Sequence, residues 1–314
     1  MANQHTTDHT VRSDTDGAAT LASGDRPSTL FKQRQVRSNR FLRRIKAEKK
    51  AFLGIIFVVL LGIIALLGPQ LAPHDPDNDD FNVLEAPSLS HPMGIDSYGR
   101  DLFSRVILGT RISFIVGILG ALLAMVIGVT FGLLAGYYLG WIDMIIMRAV
   151  DLIWAFPAII LAMAFVAIYG AGARNVILAI GLANIVTFAR IVRGQVLSLR
   201  EEDFTLAARA IGVRDWRIML IHILPNVAAP IIVQATLTVG FGILTETGLT
   251  FLGLGVNPTT PTWGQALNES RNFIQQAWWL AVFPGLAIGF TVLSLNLFGD
   301  GLRDALDVRS VGDG

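Results

Sequence analysis

The 314-residue chain contains no cysteine. That excludes thiolate nucleophiles, CxxC redox pairs, cysteine zinc sites and a disulfide-stapled secreted fold. Charge is scarce as well, at 16% of residues, where soluble domains carry about a quarter. Lysine occurs only at positions 32, 46, 49 and 50, ahead of the first long apolar run. No catalytic signature is present: no GxxxxGKS/T phosphate loop, no HExxH and no nucleophile elbow. The five histidines, His5, His9, His74, His91 and His222, show no metal-ligand spacing. Asp75, Asp77 and Asp79 make a DxDxD run, but Asp80 and Ala86 stand where a calcium loop needs Gly and Glu. A solvated acidic loop is the expectation there, and no catalytic, cofactor or metal residue is expected anywhere in the chain.

What the chain has in abundance is apolar sequence, 53% of residues, with a mean hydropathy of +0.56. The first uncharged run, Ala51–Gly68, extends to Ala72, and a membrane helix needs about 20 residues. A polar stretch precedes it and no small-x-small cleavage pattern follows, so an uncleaved first span is expected rather than a signal peptide. Uncharged stretches of 31, 22, 28 and 28 residues follow, bounded by Arg111 and Asp143, Asp151 and Arg174, Arg217 and Glu246, and Arg271 and Asp300. A shorter one, Asn175–Ala189, counts as a span if Arg190 and Arg193 snorkel from its end. The total is six. The runs are continuous rather than alternating, which excludes a β-barrel. With both termini cytoplasmic, 20 Lys and Arg fall inside and 5 outside, the asymmetry expected of an N-in, C-in protein in the cell membrane.

Residues 1–30, rich in Thr, Ser, Asp and Gly, read as a disordered tail, and 31–50 as a basic cytoplasmic segment suited to anionic lipid headgroups. The first transmembrane helix is expected over 51–72 and an extracytoplasmic loop over 73–111. A five-helix core is expected over 112–302 and a cytoplasmic tail over 303–314. Gly128, Gly132 and Gly136 form small-xxx-small patterns in the second span, for packing within the bundle or for a dimer seam. Arg148 and Asp151, three apart on one helix, can form a structural ion pair. No ionisable residue sits clearly at mid-membrane, which argues against an internal proton relay.

The cytoplasmic segment 201–226 is the most informative. Phe204, Ala207, Ala208 and Ile211 fall at i, i+3, i+4 and i+7, one apolar face of a short helix kept thin by its two alanines. Thr205 and Arg209 lie off that stripe. Gly212 permits a sharp turn, and Pro225 is expected to end or kink the second short helix that follows. Periodicity alone leaves two readings open, a connector on the membrane surface and a helix that enters a groove on another protein.

The spacing Ala207-Ala208, Gly212, Leu224-Pro225 resembles the EAA loop of ABC importer permeases, with Leu206 at the family's leading Glu position and His222 at an apolar one. The stretch His91–Asp101, Ser104-Arg105, Gly109–Ser113, Arg148–Asp151 with Pro157, Leu249–Gly255, Pro261–Gly264, Phe283–Gly285 and Asn296–Asp307 are similar to dipeptide/oligopeptide permeases of the C-subunit type, although Val308 stands where proline is usual. The resemblance covers about residues 40–309. It implies an all-α membrane protein of six transmembrane helices, a type I ABC importer permease-like bundle with a cytoplasmic coupling helix. It also implies a non-enzymatic permease subunit for peptides. Its partners would be a homologous permease, two ABC ATPases that bind ATP and Mg, an extracytoplasmic solute-binding protein and membrane lipids, with no nucleic acid. The ATPase-coupling residues would be Phe204, Ala207, Ala208, Ile211, Gly212, Leu224 and Pro225. Nickel chelates or another small solute are the alternative cargo. A secondary transporter and a membrane assembly protein are the rival classes.

Overall fold

A computed structural model describes residues 49–306. The expectations for residues 1–30, for 31–48 and for 307–314 lie outside the described residues. Apart from one isolated bridge, Ile95–Asp101, the regular elements of the described residues are helices: α1 Lys49–Leu71, α2 Leu102–Tyr138, α3 Gly140–Trp154, α4 Ala158–Tyr169, α5 Ala173–Leu199, α6 Asp203–Ala210, α7 Asp215–Arg217, a π-helical turn Ile218–Ile223, α8 Leu224–Phe251, α9 Trp263–Ser270 and α10 Trp279–Leu306. Five helical stretches are long and apolar enough to cross a membrane, Phe52–Leu71, Leu102–Tyr138, Ala173–Leu199, Asp215–Phe251 and Trp279–Leu306; the bent pair α3–α4 makes a sixth if it counts as one span.

The third span differs from expectation. The 22 uncharged residues after Asp151 do not form one straight helix; α3 and α4 meet at 87°. Proline explains the break. Pro157 has no N–H to donate and disfavours helical backbone at Phe156, and it opens α4 at φ −55°, ψ 131°. Pro225, by contrast, ends nothing. The helix runs on from Asp215 to Phe251, because the wider π-helical turn Ile218–Ile223 just before Pro225 relieves the clash a proline ring makes with the carbonyl four residues back. Boundaries shift too: α2 begins at Leu102, inside the expected loop, and α10 continues to Leu306.

The packing centre is the α2–α5 contact. A Cβ added at Gly128 would lie 2.6 Å from Phe188 Cβ, one at Gly132 2.7 Å from Val192 Cβ, and one at Gly136 2.8 Å from Val196 Cβ. The glycine run is therefore the contact between two helices of one bundle, where only a missing side chain allows this backbone approach. Around it, Phe188, Val192 and Val196 pack with Tyr137, Ile218, Ile223 and Val227. A second core, at the end carrying loop 72–101, gathers Trp263, Trp279, Leu280 and Ile243.

Candidate functional site: the short helices and the elbow

Three helix ends converge where α5 hands over to α6. Thr205 Oγ1 donates to the Leu199 carbonyl at 2.7 Å, folding α6 back under the end of α5. Tyr137, at the end of α2, donates its hydroxyl to Asp215 Oδ1 at 2.8 Å, and the Arg209 guanidinium sits 5.3 Å from its ring centroid. The chain leaves α6 through a Schellman turn: the Val213 N–H bonds the Ala208 carbonyl at 3.1 Å and the Gly212 N–H the Arg209 carbonyl at 3.0 Å. Gly212 has φ +78° and open space around it, so backbone conformation alone demands glycine there.

Not all of the expected stripe faces outward. Phe204, Ala207 and Ile211 are exposed, Ile211 by 81%. Ala208 is buried and packs with Ile218, Met219 and Ile223, while Thr205 is fully buried. The correction has a simple cause. In an eight-residue helix that leans on its own bundle, one face must be spent inward, and the Thr205–Leu199 bond selects the face holding Thr205 and Ala208. The outward surface is Phe204, Ala207 and Ile211, joined by Leu206. Leu224 is half-buried beside the same core and Pro225 is exposed.

The ion pairs also differ from expectation. Asp151 does not pair with Arg148 on its own helix. It bonds Arg190 of α5 at 2.7 Å, and the Arg190 guanidinium stacks 3.2 Å from the Trp154 ring centroid. Arg148 is exposed and has no ion pair among the described residues. Arg190 combines a carboxylate and an aromatic face in one position, which an i, i+3 neighbour on α3 does not offer. Arg193 binds Asp143 through both oxygens, at 2.6 and 2.7 Å. The two arginines thus do not snorkel from the end of a short span. They lie inside the 27-residue α5 and tie it to α3. Two like charges three apart in an apolar helix were the sequence signal for such partners, but not for which acids supply them.

The loop end is more structured than a solvated acidic loop. Asp75, Asp77 and Asp79 are exposed as expected, but His91, Ile95, Asp96 and Asp101 are buried. Asp101 caps α2, accepting from Ser104 N–H at 2.9 Å and Ser104 Oγ at 2.7 Å, with His91 Nδ1 3.0 Å from its other oxygen. His74 lies beside His91, ring centroids 5.0 Å apart. His74, His91 and Asp101 therefore bring ligand-type atoms within 4.8 Å, a convergence the spacing of histidines does not reveal. Asp101 is already engaged on both oxygens, which makes this a buttress for the start of α2. Next to it, Arg100 bridges Asp96 at 2.7 Å and Glu269 at 2.9 Å. Burial pushes the Glu269 carboxyl upward from its ordinary value, and Arg100 opposes that without cancelling it. In α8, Glu246 is fully buried and accepts hydroxyls from Ser113 and Thr250, each at 3.0 Å, joining α2 to α8.

Residues 128–311 match the family of binding-protein-dependent transport system inner membrane components, and residues 38–89 match the N-terminal TM domain of oligopeptide transport permease C. The chain belongs to that family of binding-protein-dependent permeases: it is a multi-pass inner-membrane, non-catalytic component of an ABC importer, and ATP is bound by the partner ATPases of such a system. Among similar proteins, the glutathione transport system permease protein of Pectobacterium atrosepticum is 48% identical over 271 residues, 86% of this chain and 90% of that one. The dipeptide transport system permease protein of Alkalihalophilus pseudofirmus is 47% identical over 268 residues, covering 85% and 88%. The glutathione transport system permease protein of Escherichia coli is 46% identical over 287 residues, covering 90% and 95%.

Proposed function

We propose that this chain is one half of the membrane pathway of an ATP-driven importer for short peptides, dipeptides or glutathione among them. The observation that carries the coupling half of this reading is the exposed apolar face Phe204, Ala207 and Ile211, held out by the Thr205–Leu199 bond and a left-handed turn. A solvated polar region has no use for such a face, and a partner groove does. Two ATPases bind there and on the matching helix of a homologous permease, and a solute-binding protein delivers cargo to the opposite end. Closure of the ATPases moves the short helices, and through Thr205–Leu199 and Tyr137–Asp215 that push reaches α5 and α2. The peptide cargo rests on the relatives, whose names specify dipeptide and glutathione transport.

Both termini lie on the cytoplasmic side in this reading, supported by the excess of basic residues there. Single cysteines at Leu89 and Ser198, both exposed, test it with an impermeant thiol reagent on intact cells. Leu89→Cys labels and Ser198→Cys does not; the reverse pattern inverts the topology. For function, the chain is reconstituted in liposomes with its partner permease, ATPases and binding protein. ATP-dependent uptake of radiolabelled dipeptide or glutathione is expected. Uptake of nickel chelates alone replaces the cargo, and uptake without ATP removes the importer reading.

A further inference from the structure

The elbow between α3 and α4 lines an open cleft of about 660 Å³ against α5, a size suited to a small-molecule ligand. Trp154, Phe156 and Pro157 form one wall, and Asn184, Thr187 and Arg190 the other. These last three recur every third residue, a polar stripe along that wall. At 1.5 Å rise per residue the stripe is about 9 Å long, which matches an extended chain of two to three amino acids. Arg190 is the single ionisable residue of the lining.

Arg190 differs from its neighbour Arg193 in what it has left to give. Arg193 spends Nε and Nη2 on both oxygens of Asp143. Arg190 spends only Nη2 on Asp151, at 2.7 Å, while Trp154 holds its guanidinium plane from one face. Its side chain is 38% exposed and that of Asp151 45%. A guanidinium carries five N–H donors in a planar fork, so Nε and Nη1 remain for a second carboxylate. An ionisable side chain inside a membrane-crossing helix that faces a cavity rather than a packed core points to a ligand.

Resting on the peptide-importer reading, we infer that the elbow cavity is a contact station on the substrate path, where Arg190 takes the carboxylate of a passing short peptide and Thr187 and Asn184 take its backbone amide groups. Asp151 lies outside the cavity lining and only competes for Arg190 between passages. The contact is weak because the partner carboxylate competes for it, which lets cargo leave.

The test uses the complete reconstituted importer and a dipeptide with a diazirine side chain, loaded on the binding protein. In the wild type, ATP-dependent cross-links map by mass spectrometry to residues 153–158 and 184–191. Arg190→Gln loses those cross-links and lowers uptake roughly tenfold or more, the scale of one charge-assisted hydrogen bond, while the complex still purifies intact. Asp151→Asn breaks the same ion pair but leaves Arg190 free, so it keeps both cross-links and uptake. Equal losses in the two variants make the pair merely structural and overturn the inference. Cross-links elsewhere with normal uptake overturn it too and leave the importer standing. Absence of ATP-dependent peptide uptake in the wild type overturns the importer reading and this inference with it.

Discussion

Helix α5 makes two contacts of opposite character. Toward α2 it meets a row of glycines, with backbone so close that Cβ atoms at Gly128, Gly132 or Gly136 would overlap it. Toward α3 it meets a small apolar patch, Val150 with Val186 and Ala189, and two ion pairs. The outward side of α3 is bare: Trp141, Ile145 and Leu152 are exposed. The first contact is steric and short-ranged. It has one arrangement, and sliding by a fraction of an ångström loses it. The second is electrostatic and side-chain mediated, and it tolerates displacement.

The sharpest way to break that contrast is to crowd the seam. Gly132→Leu has nowhere to place its side chain between Ala189 and Val192, and overpacking costs about 1–3 kcal/mol or more. Little folded protein is expected, read as membrane yield and thermal stability in detergent; a normal melting temperature would show that the seam gives way.

The same contrast recurs within α6. Ala208→Trp enlarges a buried residue and should destabilise by about 1–3 kcal/mol, seen as a lowered melting temperature. Ala207→Trp enlarges an exposed one. It should keep the melting temperature and release the ATPases on co-purification while the partner permease stays bound. Thr205→Ala, which removes a buried bond to Leu199, should cost about 1 kcal/mol and so is less innocuous than its place off the apolar stripe suggests.

Gly212 separates strain from crowding. Nothing lies within 4 Å of an added Cβ, but φ is +78°. A left-handed β-branched residue costs about 1–2 kcal/mol. Gly212→Val should leave protein in the membrane and abolish coupled uptake, whereas Gly212→Asn, which accepts that conformation, should retain most of it. Equal loss in both variants would point to a contact made by the glycine itself.

The smallest effects belong to the tethers. Asp143 pairs bidentately, with side chains 31% and 17% exposed; Asp151 pairs through one bond on a more open surface. Double-mutant cycles with Arg193 and Arg190 should give a coupling near 1 kcal/mol for the first and less for the second. A larger value at Asp151 would mean that the elbow is held more firmly than its exposure indicates.

Much of this protein is local, and the local part was legible in the chain. Apolar runs of sufficient length mark crossing helices because a helix satisfies its own backbone. The glycine spacing marks a close helix contact, and Gly212 marks a left-handed turn, because both follow from the size of one residue. Tertiary structure decided the rest. A period of 3.6 says that Phe204, Ala207, Ala208 and Ile211 are near one another, but not where the bundle lies, so Ala208 turned inward and Phe204, Ala207 and Ile211 stayed out. Charge says that Asp151 needs a cation, but the cation came from α5 across space rather than from Arg148 along the helix. His74 and His91, 17 residues apart, meet beside the Asp101 cap of α2, with the Phe81 ring against both. Partners chosen by distance in three dimensions leave no mark in spacing along one.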